Sequence, residues 1–125
     1  MYKILLLLFF AFQVNAEEII EDEFSDEKDI ATIQVLDKIT AKLKYLDISV
    51  GEEVDFGNLR IHIASCWKSS PYELSENKIL LYISEKKPGK TEYKYIFRGW
   101  MFSSSPAISS LEHAIYDVTA IECHD

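Results

Sequence analysis

Leu59-Arg60-Ile61-His62-Ile63-Ala64-Ser65-Cys66 decides the fold of this chain. Leu59, Ile61 and Ile63 alternate with Arg60 and His62 at the period of two that a half-buried β-strand requires. The apolar set belongs to a core and the polar set to solvent. Upstream, residues 31–36 read as a strand, Asp37-Lys38 opens a connection, and residues 41–48 read as its partner. Within that partner Leu43 and Tyr45 share one parity while Leu46, Ile48 and Val50 share the other, which predicts a bulge or change of face near Tyr45. Gly51-Glu52-Glu53 and Phe56-Gly57-Asn58 are turn signals on either side of a short extended piece at Val54.

Downstream, residues 68–78 are polar and read as a surface loop. Residues 79–84 are apolar on both parities, as a central strand covered on both sides would be. Lys87-Pro88-Gly89-Lys90 is a turn leading into residues 91–102, which predicts a hairpin. On its second strand Tyr93, Tyr95 and Phe97 oppose Arg98, Trp100 and Phe102, so both faces carry large rings. Ser103-Ser104-Ser105-Pro106 supplies caps and a first-turn proline for one short helix over 107–112, and residues 115–123 read as the last strand. The expected fold is all-β and mainly antiparallel. It is a compact small sandwich or barrel of about six strands with one short helix, occupying residues 31–125 as a single domain.

The N-terminus carries a different message. Lys3 provides a positive n-region, residues 4–12 an uninterrupted apolar h-region, and Val14-Asn15-Ala16 a small-residue cleavage site. This reads as a signal peptide over 1–16, cut after Ala16, too short to span a membrane. The remaining chain of about 110 residues is enough for one small core. Residues 17–30 form an acidic, disordered leader in which Glu17, Glu18, Glu21, Asp22, Glu23, Asp26, Glu27 and Asp29 face one base, Lys28. The formal net charge of −8 becomes one unit more negative when Lys3 is removed. Such a chain repels phosphate backbones, so nucleic acid is not an expected partner. Cys66 and Cys123, 57 positions apart, are the only cysteines. In an exported chain an even pair reads as a disulfide, whose loop is worth roughly 4 kcal/mol by the chain-entropy argument.

Several blocks carry a family resemblance: Leu36-Asp37-Lys38-Ile39-Thr40, Phe56-Gly57-Asn58-Leu59, Cys66, Gly99-Trp100-Met101-Phe102-Ser103-Ser104-Ser105-Pro106-Ala107, Leu111-Glu112-His113, Tyr116-Asp117-Val118 and Cys123. Together the chain resembles the alphaproteobacterial domain-of-unknown-function family 2155 over nearly all of residues 31–123. The resemblance implies a bacterial, periplasmic setting and a paired cysteine, and no assigned activity. The loop after Cys66, Ser69-Ser70-Pro71-Tyr72, is poorer in proline than that family pattern.

Motifs for chemistry are sparse. His62, Cys66, His113, Cys123, His124 and Asp125 are competent metal ligands, but four residues of strand put His62 roughly 13 Å from Cys66, and Cys123 and His124 point to opposite faces. No metal site and no cofactor are expected. Ser103–Ser105, His113 and Asp117 supply the residue types of a hydrolase without a G-x-S-x-G elbow, and capping explains the serines as well. There is no C-x-x-C and no phosphate-binding glycine loop.

What remains is aromatic. Trp67, Arg98, Trp100 and Phe102 are the candidate binding residues, suited to an envelope protein or a glycan if their face is open and to core packing if it is covered. The function expected is that of a non-catalytic binding or accessory module of the periplasmic cell envelope. The alternatives are a small envelope hydrolase pairing Ser105 or a neighbour with His113, and a purely structural envelope component.

Overall fold

A computed structural model describes residues 25–71, 74–105 and 110–125. Nine strands follow one another among them: β1 (Ser25–Glu27), β2 (Ile30–Asp37), β3 (Lys42–Ser49), β4 (Glu53–Phe56), β5 (Leu59–Ser69), β6 (Asn77–Glu85), β7 (Lys94–Phe102), β8 (Leu111–Glu112) and β9 (Tyr116–His124). They form two antiparallel sheets, ordered β1-β5-β6-β7 and β3-β2-β9-β8, a sandwich and not a closed barrel. The outer edge of β5 is shared. β4 pairs with its first half and β1 with its second.

Between those two partners the chain crosses from sheet to sheet twice. Gly51 donates to Ile63 O at 2.7 Å, Ile63 to Glu52 O at 3.1 Å, and Lys28 to Cys66 O at 2.8 Å. Backbone groups that a free edge would leave open are thereby satisfied. The core lies between the sheets, where alternate residues of β2, β5, β6 and β9 are fully buried, including Ile33, Val35, Ile61, Ile63, Leu81 and Val118. Each such side chain contributes about 1.5–3 kcal/mol by leaving water.

Three strands carry one extra residue. β5 bulges at Ala64, since Ile63 pairs with Leu81 but Ser65 with Leu80. β9 bulges at Ile121, since Ala120 pairs with Ile33 but Glu122 with Thr32. β7 bulges at Ile96, since Phe97 pairs with Ile83 but Tyr95 with Ser84. A bulge reverses the facing of every later side chain. Cys66 and Cys123, both off the parity of their own strands' buried residues, are thereby turned inward. Their Cα atoms come to 5.6 Å and a disulfide joins the sheets.

The expected strands recur with boundaries displaced by a few residues, and several expectations need correction. Six strands become nine, because the piece at Val54 pairs as β4 and two short strands, β1 and β8, are added. β1 and Ile30 fall within residues 17–30, so strand pairing begins inside the stretch expected to be a disordered leader. Residues 1–24, with the signal peptide and most of that leader, lie outside the described residues. The short helix is corrected at its end: Leu111 and Glu112 pair with Val118 and Asp117 as β8, while residues 106–109 lie outside the described residues. There is no helix among the described residues, hence none long and apolar enough to cross a membrane. β3 pairs with β2 without a register shift, so Leu43 and Tyr45 are exposed on its outer face and no bulge separates them from Ile48.

Of the four glycines, only Gly57 has a side chain packed where a Cβ would stand. Its φ is +56°, and a Cβ there would overlap Tyr116 Oη and lie 3.0 Å from Tyr116 Cζ. Gly57→Ala therefore combines left-handed strain with a collision, and we expect it to cost more than the ~1–2 kcal/mol of strain alone. Gly51→Ala, at φ +91° with open space around it, should show the strain without the collision. Chemical denaturation of both variants checks this, the Gly57 variant having the lower midpoint. Reduction of the disulfide should remove roughly 4 kcal/mol, read as a lower denaturant midpoint in the presence of reductant.

Candidate functional site

The outer face of the β1-β5-β6-β7 sheet gathers the aromatic residues. Register sets Trp67 beside Lys78 and Lys78 beside Phe102, Leu80 beside Trp100, and His62 beside Tyr82 and Tyr82 beside Arg98. All four candidate binding residues are on this face. Trp100 is 38% exposed, Phe102 37% and Tyr95 62%, whereas Met101 between them is fully buried. The expected opposition of Tyr95 and Arg98 is corrected by the bulge at Ile96, which brings both to the same face. Arg98 then lies over the Tyr95 ring, 4.8 Å from its centroid.

Cations stand against rings along the whole face. Lys78 Nζ lies 5.7 Å from the Trp67 centroid and 5.3 Å from that of Trp100, so one ammonium serves both tryptophans. The Arg60 guanidinium lies 3.9 Å from the Tyr93 centroid. Such contacts are worth about 0.5–1 kcal/mol each when exposed. The rings also contact one another, with His62 stacked on Tyr82 at 5.9 Å and Tyr82 edge-on to Tyr95 at 6.4 Å. Arg60, His62, Tyr82, Tyr93 and Tyr95 line a shallow depression of about 460 Å³.

The charges are not equivalent. Arg60 is paired with Asp55 at 2.8 Å and Glu53 at 3.3 Å, and its hydrogen bond holds the Asp55 carboxyl below the ordinary range. Among the described residues no carboxylate forms an ion pair with Lys78 or Arg98. Two cations with no carboxylate partner among the described residues stand out on one aromatic face in a chain of net charge −8. Lys78, Tyr82 and Tyr95 were not legible as site residues, because their place beside Trp67, Arg98 and Trp100 depends on pairing register.

The residues of the alternative hydrolase are held apart. Glu76, just before β6, accepts hydrogen bonds from the Ser104 hydroxyl, from Ser104 N at 3.1 Å, from Ser103 Oγ at 3.2 Å and from Asn77 N at 3.0 Å. His113 instead contacts Glu85, at the far end of β6, through Nε2, while its Nδ1 accepts from Ile115 N at 3.0 Å. Nine strand residues separate the two anchors by roughly 30 Å. Asp117 pairs with Lys38 at 2.9 Å. The serine run and His113 therefore do not form one constellation.

The histidines are equally dispersed: His62 on this face, His113 against Glu85, and His124 beside Thr32 at 2.9 Å on the other sheet. Among the described residues no three His, Cys, Asp or Glu side chains are grouped to hold a metal.

The family model described as an uncharacterized protein conserved in bacteria (DUF2155) matches residues 31–123. The chain belongs to the DUF2155 family. It is similar to an uncharacterised protein of Rickettsia prowazekii (strain Madrid E), 39% identical over 92 residues, which are 73% of this chain and 58% of that relative. The match thus spans under two thirds of the relative's length. No solved structure matches.

The blocks that carried the DUF2155 resemblance meet at two places. Lys38 donates to His113 O at 2.8 Å and pairs with Asp117, while Tyr116 packs edge-on against Phe56 at 5.7 Å and stacks on His113 at 5.8 Å. This closes one end of the sandwich. The Gly99–Ser105 block, Cys66 and Cys123 define the aromatic face and the opposite end.

Glu76 titrates in a way that can be followed. Partial burial raises its pKa, but the hydrogen bonds from Ser104, Asn77 and Ser103 outweigh this and the net shift is downward from the ordinary 4.5. A carboxyl with a lowered folded-state pKa stabilises above its unfolded value and loses that contribution as pH falls through the folded one. Glu76→Gln should therefore lower stability by about 1–3 kcal/mol near neutral pH, with the deficit shrinking below pH about 4.5. Paired thermal melts of both proteins across that range give the measurement.

Proposed function

We propose that this DUF2155 protein is an exported, periplasmic, non-catalytic binding module of the cell envelope, and that it engages its partner through the outer face of the β1-β5-β6-β7 sheet. The observation that carries the reading is the placement of Trp67, Arg98, Trp100 and Phe102 on one sheet face, Trp67 half-buried and the other three exposed, beside Lys78, with no carboxylate ion pair to Lys78 or Arg98 among the described residues. Large rings and arginine in one patch are the residue types that dominate binding energy at interfaces. Export is supported by the n-region, h-region and small-residue site of residues 1–16, and by a cysteine pair that benefits from an oxidising compartment. The separation of the serine run from His113 favours binding over hydrolysis.

The test is capture from envelope extract with the tagged protein. A partner retained at fixed stoichiometry by the wild type and lost by Trp100→Ala, with circular dichroism unchanged, supports the reading. A partner that Trp100→Ala and Arg98→Ala both retain sinks it. So does labelling of the wild type, but not of His113→Ala, by a serine-reactive probe.

A further inference from the structure

We infer that the ligand of this face is an extended acidic peptide segment that adds to β7 as a further strand, with the side-chain pattern acid, any, apolar, any, acid. The inference rests on the binding face proposed above and specifies its ligand. β7 is the last strand of its sheet, and among the described residues no strand pairs with its other edge. An unpaired strand edge offers a row of backbone donors and acceptors, which is what strand addition uses.

The side chains beside that edge set the pattern. Phe102, Trp100 and Arg98 project from β7 on the outer face at steps of two, and Lys78, opposite Phe102, reaches over the Trp100 ring. A strand added to β7 would place residues i, i+2 and i+4 beside Phe102, Trp100 and Arg98. A carboxylate at i+4 would meet Arg98, an apolar residue at i+2 would lie against Trp100, and a carboxylate at i would face Lys78 across the Phe102 ring. In a chain of net charge −8, Lys78 and Arg98 give this aromatic strip a local positive charge that draws an acidic segment to it.

A glycan fits less well. Sugars use open ring faces, and here Lys78 lies over both tryptophans, Arg98 over Tyr95, and Arg60 and Lys86 over Tyr93. A second copy fits less well too, because antiparallel pairing of two β7 edges about their centre sets Arg98 against Arg98.

Both tryptophans of the chain lie on this face, so intrinsic fluorescence reports on it alone. The probe is the blocked peptide Thr-Glu-Thr-Val-Thr-Glu-Thr, titrated into the purified protein, with amide exchange of β7 followed in parallel. We expect a saturable change in tryptophan emission and slowed exchange at the β7 amides that β6 leaves unpaired. Added salt should weaken binding, and Lys78→Glu with Arg98→Glu should weaken it at least about tenfold while leaving circular dichroism unchanged.

Equal binding of the same peptide with lysine for glutamate overturns the inference, as does a fluorescence response without protection of β7. Polygalacturonate acting as well as the peptide, with β7 exchange unchanged, would assign the face to a glycan. Protection of β7 without peptide, in a protein that sediments as a dimer, would assign it to a second copy. If Trp100→Ala loses its envelope partner but the peptide does not bind, the peptide inference alone fails. If Trp100→Ala and Arg98→Ala both keep that partner, the binding face itself fails.

Discussion

Closing a sandwich on a covalent link between its sheets requires both cysteines to point inward, and in this chain neither does so by strand parity alone. Ile63 and Ala120 are the last buried residues before them, each three positions away, an odd step that would turn the sulfur outward. One extra residue in each strand, Ala64 and Ile121, restores the inward direction. The bulges sit beside the place where the chain crosses between sheets, and the added twist there suits the turn from one sheet to the other. Asn77, buried next to the link, accepts a hydrogen bond from Cys123 N at 2.9 Å and gives that end of β9 a polar partner.

The same corner governs the candidate surface. β5 and β6 must hold their register through the Ala64 bulge for Trp67 to stand beside Lys78, and β6 passes that register to β7. The Glu76 cluster then ties Ser103 and Ser104, just after β7, back to the start of β6. Individual cation and ring contacts are weak. Their arrangement is held by the core beneath, where Ile79, Leu81 and Met101 are fully buried. The opposite end is closed by a different set, Lys38, Asp117, His113 and Tyr116 around Gly57, which contributes order and leaves the aromatic face open.

Particular elements show how far local pattern reaches. The alternation of Leu59, Ile61 and Ile63, and the two-sided apolar run of β6, report burial directly, because each residue's facing in a strand is fixed by its neighbours. Helix capping misled at residues 110–112, where Leu111 and Glu112 instead find backbone partners on β9, a gain that propensity does not register. The leader boundary misled for a related reason: Ser25–Glu27 is acidic and polar, yet it completes the open half of the β5 edge. Tyr95 was assigned the wrong face because an inserted residue leaves no local mark.

The amino-acid order alone was sufficient for the six long strands, the all-β class and four aromatic or basic candidates, since each follows from side-chain type and a period of two, while separate sequence blocks carried the family resemblance. Tertiary structure decided which face those candidates occupy, that Lys78 joins them, and that the serine run and His113 lie at opposite ends of one strand. The physical reason is that bulges and pairing register are properties of two strands together. Neither strand can express them until the other is alongside.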